Sequence, residues 1–416
     1  MAAKSGTASF GRNVLRNAIR MIPVVVLPAL MLATYSCGNG LFPEVGSSSS
    51  GNATGSPTPG TGALAFVTNF NAGTLSSFTR NTTTGALKRT GTTSAGAKKG
   101  PKGVVAAVAG GFLYAANVAD DNIYEFALNQ STGALTPLSP ASVGNGSKSG
   151  PDEMVINPAG TLLFVTGSRN GTITSYTINT STGQLTNAGK VSGLFSPFGI
   201  AINSTGSFLY VADNTAGLMY SYAINTSTGA LSQNGPAQLS LGVSAGNPGF
   251  IAIDPAGTFL YVTDLTSGLI SVFAINTTIG QPTFGQLTFG SVVPSASTAN
   301  APLGIAIGNV TGIGELIFTA NQGTATVWEF FLQSPGFPAQ PVAFGAGNLS
   351  QPTDLVVDPQ NKFVYVTNQG AGTVSEFALN ANCPNNPSIM CFVASVATES
   401  GGGAAASGPF GITLAN

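Results

Sequence analysis

The stretch Phe208-Leu209-Tyr210-Val211-Ala212-Asp213 decides the fold of this chain, because close variants of it occur seven times. It is a short run of aromatic and β-branched residues that ends in a turn-forming acid, which is typical of a buried strand. The last residues of successive copies lie 48, 50, 46, 51, 57 and 47 positions apart. A period of this length predicts a solenoid, a propeller or another repeat architecture. The repeat cores are Phe66-Val67-Thr68-Asn69, Tyr114-Ala115-Ala116-Asn117, Phe164-Val165-Thr166-Gly167, Tyr210-Val211-Ala212-Asp213, Tyr261-Val262-Thr263-Asp264, Phe318-Thr319-Ala320-Asn321 and Tyr365-Val366-Thr367-Asn368.

The same neighbours surround each repeat core. A proline and a short apolar strand come first, as in Pro197-Phe198-Gly199-Ile200-Ala201-Ile202, and a turn such as Asp254-Pro255-Ala256-Gly257 joins strand and core. A third strand with strict alternation follows, as in Ile270-Ser271-Val272-Phe273-Ala274-Ile275, and then a weaker fourth strand. Four short strands per unit, with glycine-rich turns and no helical period, predict an all-β protein made of propeller blades.

The two ends of the chain complement each other. Seven proline-led strands are present, and the last of them, Phe410-Gly411-Ile412-Thr413-Leu414, has no repeat core after it. The first core, at Phe66, has no such strand before it. We therefore predict a seven-bladed β-propeller with four-stranded blades, in which the C-terminal strand completes the first blade and closes the ring. An open β-solenoid is the alternative, but it predicts shorter repeats and no complementary ends.

The Tyr-Val-Thr-Asn cores, the preceding Gly-Ile-Ala-Ile strands and the Asn-Thr-Ser-Thr-Gly-Ala-Leu turns resemble the seven-bladed YVTN-repeat propellers of the lactonase family, the 6-phosphogluconolactonase-like group. The resemblance covers about residues 62–416. It implies the propeller fold and, less specifically, hydrolysis of a sugar lactone, since one fold hosts many functions. The sites proposed for that family use His, Arg and Glu near the central channel. This sequence contains no His, so a lactonase here would need a carboxylate base or a metal-held water.

The N-terminal residues 1–36 are predicted to be a signal peptide. Four basic residues precede an apolar run from Met21 to Thr34 that is too short to span a bilayer. The order Thr34-Tyr35-Ser36-Cys37 resembles a bacterial lipoprotein cleavage box with Cys37 as the lipidated residue, and ordinary signal cleavage near the same point is the alternative. The four basic residues are Lys4, Arg12, Arg16 and Arg20.

Residues 37–61 are rich in Gly, Ser, Thr and Pro, which predicts a lipid-anchored flexible linker before the propeller at 62–416. The protein is then exported and anchored in the cell envelope, at the outer membrane or cell surface, and otherwise periplasmic or secreted. Its only membrane contact would be the lipid anchor. In an exported protein, Cys383 and Cys391 are expected to form a disulfide.

Charge bounds the possible partners. Removing the signal segment leaves 10 of the 14 basic residues and all 15 acidic ones, a net charge of −5. That balance gives no basic face for nucleic acid, so no nucleic-acid partner is predicted. We expect a monomer.

A propeller brings the loops before each innermost strand, and those after each repeat core, to the mouth of one channel. In a chain with few charges, many of its charged residues fall in these loops. They could bind or hydrolyse a small polar ligand, although charges also collect in loops without any function. No cofactor is required, no metal site is assigned, and a divalent cation held by oxygen ligands is an open alternative. The catalytic candidates are Asp152, Glu153, Arg169 and Asp354, and the ligand-binding candidates are Lys102, Phe198, Phe250 and Phe410.

Two functions follow from the sequence. The preferred hypothesis is a binding module that takes a protein, a polysaccharide or a small ligand through its rim or channel, because His is absent and repeats transfer fold better than function. The alternative is a lactonase-family hydrolase that opens a lactone ring with a carboxylate- or metal-activated water.

Overall fold

The computed structural model describes residues 63–239, 246–294, 301–333, 337–338, 342–344, 349–380, 388–400 and 407–415. All of them belong to one compact unit, Ser56–Asn416. The predicted signal peptide, linker and lipidated Cys37 lie outside the described residues, as does Cys383, so these assignments and the domain boundaries stay predictions. Within the described ranges, no helix is both long and apolar enough to cross a membrane.

The described residues form thirty β-strands and one 3₁₀ turn at Val108–Gly110. In the first half of the chain the strands are β1 (Leu64–Asn69), β2 (Thr74–Arg80), β3 (Leu87–Ser94), β4 (Pro101–Ala107), β5 (Phe112–Asn117), β6 (Asn122–Leu128), β7 (Leu135–Gly144), β8 (Pro151–Ile156), β9 (Leu162–Gly167), β10 (Thr172–Ile178), β11 (Leu185–Ser192), β12 (Pro197–Ile202), β13 (Phe208–Asp213), β14 (Leu218–Ile224), β15 (Leu231–Gln233) and β16 (Gln238–Leu239). In the second half they are β17 (Pro248–Ile253), β18 (Phe259–Asp264), β19 (Leu269–Ile275), β20 (Leu287–Pro294), β21 (Pro302–Val310), β22 (Gly314–Asn321), β23 (Thr326–Gln333), β24 (Phe337–Pro338), β25 (Val342–Phe344), β26 (Pro352–Val357), β27 (Phe363–Asn368), β28 (Thr373–Leu379), β29 (Met390–Ala397) and β30 (Pro409–Ala415).

These strands form seven antiparallel sheets, one per blade, which confirms the predicted propeller. Blade 1 has the order β3-β2-β1-β30, so the C-terminal strand pairs with the first described strand and closes the ring. Blades 2 to 7 begin at β4, β8, β12, β17, β21 and β26. In blades 4 and 6 the outermost strand is split into two short segments, β15 with β16 and β24 with β25.

The core lies between the blades. Seven clusters of buried apolar side chains are present, and each one combines residues of two neighbouring blades. The repeat cores supply their centres, since every residue of β1, β5, β9, β13 and β27 is buried. This arrangement explains why the cores are apolar on both faces rather than alternating.

Aromatic residues of one blade hold the outer hairpin of the next. The hydroxyl of Tyr365 in blade 7 donates to the carbonyl of Gly85 in blade 1 at 2.9 Å, and Tyr114 makes the same bond to Gly183 at 2.7 Å. A Cβ on Gly85 would come within 2.3 Å of the Phe363 ring. Glycine is therefore required at this turn by its positive φ of 78° and by close packing.

A bulge at the start of each innermost strand sets the channel lining. In blade 4, Pro197 pairs with Asp213 and pairing resumes at Ile200 with Val211, which leaves two residues between them outside the ladder. The same shift occurs in all seven blades. We call these two-residue segments the bulge pairs. They are Lys102-Gly103, Asp152-Glu153, Phe198-Gly199, Gly249-Phe250, Leu303-Gly304, Thr353-Asp354 and Phe410-Gly411.

Candidate functional site

Lys102 is the centre of a cluster drawn from four bulge pairs. Its Nζ donates to Oδ2 of Asp152 at 2.9 Å, across the interface between blades 2 and 3. The same Nζ lies 5.4 Å from the ring centroid of Phe198 and 5.0 Å from that of Phe410. Both distances are within the range of a cation–π interaction. The structure thus brings four of the sequence candidates into direct contact.

The carboxylate of Asp152 is buried beside this lysine. Oδ2 also accepts a hydrogen bond from Ser168 Oγ at 3.1 Å. Oδ1 of Asp152 and Oε1 of Glu153 are both buried, and neither has a hydrogen-bond partner among the described residues. A buried carboxyl oxygen is costly to leave without a hydrogen-bond partner, so contacts among the described residues do not satisfy the polar part of this cluster.

Glu153 is a weak acid in this site. Burial raises its pKa well above the usual range, the charges of Asp152 and Asp354 raise it further, and Lys102 acts in the opposite direction. Asp354 belongs to blade 7, whereas Glu153 belongs to blade 3. Both acids belong to bulge pairs, and their charges interact although they come from different blades.

Asp354 titrates near neutrality. Burial raises its pKa from 3.8 to about 7, although backbone N–H groups of Ile412 and Leu355 favour the charged form. These two groups donate to Oδ2 at 3.1 Å and to Oδ1 at 2.8 Å, which fixes the orientation of the carboxylate. An acid held in one orientation with a pKa near 7 can act as a general base at physiological pH.

Apolar side chains lie beside these charges, in blades 4 to 6. Phe198 and Phe250, from the adjacent blades 4 and 5, pack edge to face with their centroids 5.2 Å apart. Both rings are partly exposed. Leu303 of blade 6 takes the position equivalent to Phe198 in its own bulge pair. Blades 4 to 6 therefore each contribute one apolar side chain to the bulge pairs, and we define the apolar arc as Phe198, Phe250 and Leu303.

Threonines of the repeat cores orient the bulge pairs, a role that the sequence analysis missed. Thr166 Oγ1 accepts from the backbone N–H of Glu153 at 3.1 Å and donates to the carbonyl of Phe198 in the next blade at 3.0 Å. In the same way, Thr367 Oγ1 accepts from the backbone N–H of Asp354 at 3.0 Å and donates to the carbonyl of Phe410 at 2.8 Å. The sequence contains a pattern that points to this role, because the third residue of successive repeat cores alternates between threonine and alanine. The threonines are Thr68, Thr166, Thr263 and Thr367, and the alanines are Ala116, Ala212 and Ala320.

Arg169 lies apart from this cluster. It is exposed on the rim, and its Cγ and Cδ lie against Gly150, where an added Cβ would come within 2.7 Å of them. In the described ranges, no group of three or more His, Cys, Asp or Glu side chains is arranged to hold a metal ion. Cys391 is disulfide-bonded, but its partner lies outside the described residues, so the pairing with Cys383 stays a prediction.

The fold and the sequence agree on the class of this protein. The family model for "Lactonase, 7-bladed beta-propeller" matches residues 57–198 and 196–299, and the chain belongs to that family. Comparison of the sequence with curated proteins gives no significant match.

Solved structures with the same fold cover most of the chain. A presumed 6-phosphogluconolactonase from Bacteroides uniformis is 16% identical with a TM-score of 0.70, and the match covers 85% of this chain and 99% of that one. The periplasmic gluconolactonase PpgL of Pseudomonas aeruginosa is 16% identical with a TM-score of 0.64, over 85% of this chain and 99% of that one. A protein from Lactobacillus plantarum is 18% identical with a TM-score of 0.67, and the match covers 85% of this chain and 99% of that one. At these identities the likeness shows the fold alone.

Proposed function

We propose that this protein hydrolyses a lactone in its central channel, with Asp354 as general base and Glu153 as general acid. The observation that carries the proposal is the presence of two buried carboxyl groups in the bulge pairs, Glu153 and Asp354, whose surroundings differ. Burial raises the pKa of both; the charges of Asp152 and Asp354 further favour the protonated form of Glu153, whereas two backbone N–H groups favour the charged form of Asp354. Two acids in environments of opposite tendency are suited to opposite proton-transfer roles. Membership of the lactonase family supports the same reaction class.

The reaction follows from these roles. The Asp354 carboxylate removes a proton from water as the water oxygen attacks the lactone carbonyl carbon, and a tetrahedral oxyanion forms. When the intermediate collapses, the ring C–O bond breaks and the leaving oxygen takes the proton of Glu153. The product is the open hydroxy acid. The proton on Asp354 then passes through solvent to restore Glu153, so no oxidant, reductant or metal is needed for balance.

Lys102 is suited to stabilise the oxyanion. Its ammonium is fixed by Asp152 and by two aromatic rings, so it is oriented before the substrate arrives. A preorganised hydrogen-bond donor of this kind acts on the developing oxyanion of the transition state without reorganisation at the moment of reaction. Glu153 is positioned by the Thr166 hydroxyl, which holds its backbone N–H.

The test is a lactone-hydrolysis screen with the purified protein, with and without Ca²⁺, Mg²⁺, Mn²⁺ and Zn²⁺. We expect turnover that is lost in Asp354→Asn and falls by roughly 10²–10⁴ in Glu153→Gln, the usual contribution of a general acid or base. Arg169→Gln is the matched control, because Arg169 lies outside the channel cluster. Absence of turnover from the folded protein with every lactone and metal contradicts the proposal.

The hypothesis of a binding module stays a prediction. Absence of turnover from the folded protein would favour it over the hydrolase. The divalent cation considered from the sequence is tested by the metal arms of the same screen. Export, lipidation at Cys37 and a monomeric state likewise stay predictions.

A further inference from the structure

We infer that the channel takes an uncharged lactone with an apolar substituent and disfavours lactones that carry a phosphate or a carboxylate. The inference rests on the proposed function, because it names the substrate class of the same site. The seven bulge pairs comprise fourteen positions, and the structure describes all of them.

The charge of the bulge pairs opposes an anionic ligand. Five of the fourteen positions are glycine, which leaves nine side chains. One of these is cationic and three are acidic, namely Lys102 against Asp152, Glu153 and Asp354. The remaining five are three phenylalanines, one leucine and one threonine. Even with Glu153 protonated, the lining carries at least as much negative charge as positive once Asp354 ionises.

The single lysine is already neutralised. Its ion pair with Asp152 is largely withdrawn from solvent, since the two side chains are 20% and 3% exposed. A phosphate bound to Lys102 would lie close to the buried carboxylate of Asp152, and the repulsion between the two anions would offset the attraction of the lysine. A carbonyl oxygen, in contrast, can accept a hydrogen bond from Lys102 while the ion pair stays intact.

The other basic residues of this rim lie outside the bulge pairs. They are exposed, so solvent and dissolved ions weaken their interaction with a ligand in the channel. These residues are Lys98, Lys99, Lys148 and Arg169.

The apolar arc supplies the second half of the recognition. Phe198 and Phe250 present partly exposed aromatic faces beside the polar cluster, and Phe198 itself contacts Lys102. A lactone carbonyl directed at Lys102 therefore places its ring substituent next to aromatic surface. Burial of an apolar substituent there is favourable by about 25 cal/mol per Å² removed from water, whereas burial of hydroxyl groups without partners is costly.

The main test compares two substrates that share one ring, γ-phenyl-γ-butyrolactone and γ-carboxy-γ-butyrolactone. We expect kcat/KM to favour the phenyl compound by at least about tenfold, which corresponds to about 1.4 kcal/mol. Equal rates, or a preference for the carboxylate, overturn the inference.

The Asp152→Asn variant tests whether the ion pair causes the selectivity. It frees the charge of Lys102, so we expect the preference to move at least about tenfold toward the carboxylate substrate. Glu315→Gln is the matched control, because it removes one negative charge near the start of β22, where Glu315 pairs with Asn309 at the end of β21 away from the bulge pair. An equal shift in both variants contradicts a local effect.

The Phe198→Ala and Phe250→Ala variants test the apolar arc. We expect KM for the phenyl substrate to rise while the carboxylate substrate changes little. Phe195→Ala is the control, since Phe195 lies on the same rim but is 70% exposed. Unchanged KM in both channel variants overturns the assignment of the arc.

Binding of lactams separates this inference from the proposed reaction. Calorimetry with γ-phenyl-γ-butyrolactam and with pyroglutamate, its carboxylated counterpart, requires no turnover. Preference for the phenyl lactam without any lactonase activity supports the ligand class and contradicts the hydrolysis. Preference for pyroglutamate, or no binding of either lactam, overturns the inference.

Discussion

At the scale of single residues, the raised pKa values of Glu153 and Asp354 predict a bell-shaped pH profile. Asp354 has to be ionised to act as a base, so kcat/KM should rise with pH through about 7. Glu153 has to keep its proton, so activity should fall again at a higher pH set by its own raised pKa. The profile is measured with a neutral lactone. In Glu153→Gln the residual activity should lose its high-pH decline, and a retained decline contradicts the assignment.

A second residue-scale prediction concerns Glu125, which is buried between blades 2 and 3. Burial raises its pKa from 4.5 to about 7, partly offset by a hydrogen bond from the backbone of Leu185. Because the pKa of Glu125 is higher in the folded than in the unfolded protein, protonation of this carboxyl group stabilises the fold, and the contribution is complete below about pH 4.5. That contribution is lost as the pH rises through 7.

Glu125→Gln stays neutral at every pH. We therefore expect the variant to be more stable than the wild type at pH 8, by on the order of 2 kcal/mol, and close to it at pH 5. Urea denaturation at both pH values measures the difference, and the pH 5 comparison is the control. The same difference at both pH values would show that the effect is packing rather than ionisation.

At the scale of elements, the alternating threonines predict that the bulge pairs depend on the repeat cores. Thr166→Val removes one acceptor for the N–H of Glu153 and one donor to the carbonyl of Phe198. We expect a loss of about 1–3 kcal/mol in unfolding free energy, the cost of leaving buried polar groups unpaired.

Thr177→Val is the matched control in the same blade, because its hydroxyl makes only a long bond of 3.4 Å to the carbonyl of Thr186. Chemical denaturation of both variants gives the comparison. Equal stability losses would mean that the two hydrogen bonds of Thr166 contribute nothing beyond the general effect of replacing Thr by Val.

At the scale of the whole molecule, ring closure depends on contacts between residues far apart in the chain. β30 pairs with β1, and a buried ion pair joins Arg80 of blade 1 to Asp358 of blade 7 at 3.3 Å. Deletion of residues 409–416 leaves the inner edge of β1 unpaired and removes the Phe410-Gly411 bulge pair. We expect this truncation to abolish the single cooperative unfolding transition.

Calorimetry of the truncated protein beside one that lacks Asn416 alone is the measurement. The shorter deletion leaves β30 intact, so its melting curve should match that of the full chain. An unchanged transition after the larger deletion would show that the ring does not depend on this strand.

The sequence by itself determined the architecture of this protein. The repeat fixes the number of blades, and the complementary ends predict the closing strand, because period and strand pattern are local properties of the chain. It also predicted that Lys102, Asp152, Glu153, Phe198 and Phe410 lie at the channel mouth, because each stands within two residues of a proline at the start of an innermost strand.

Only the tertiary structure decided how these residues interact. Contacts with neighbouring blades pair Lys102 with Asp152, and burial in the closed ring raises the pKa of Glu153 and Asp354 while it leaves Arg169 exposed. The hydrogen bonds from Thr166 to Phe198 and from Thr367 to Phe410 also join neighbouring blades. Burial and electrostatic interaction between residues of different blades arise only when the ring closes, so no local pattern in the sequence could reveal them.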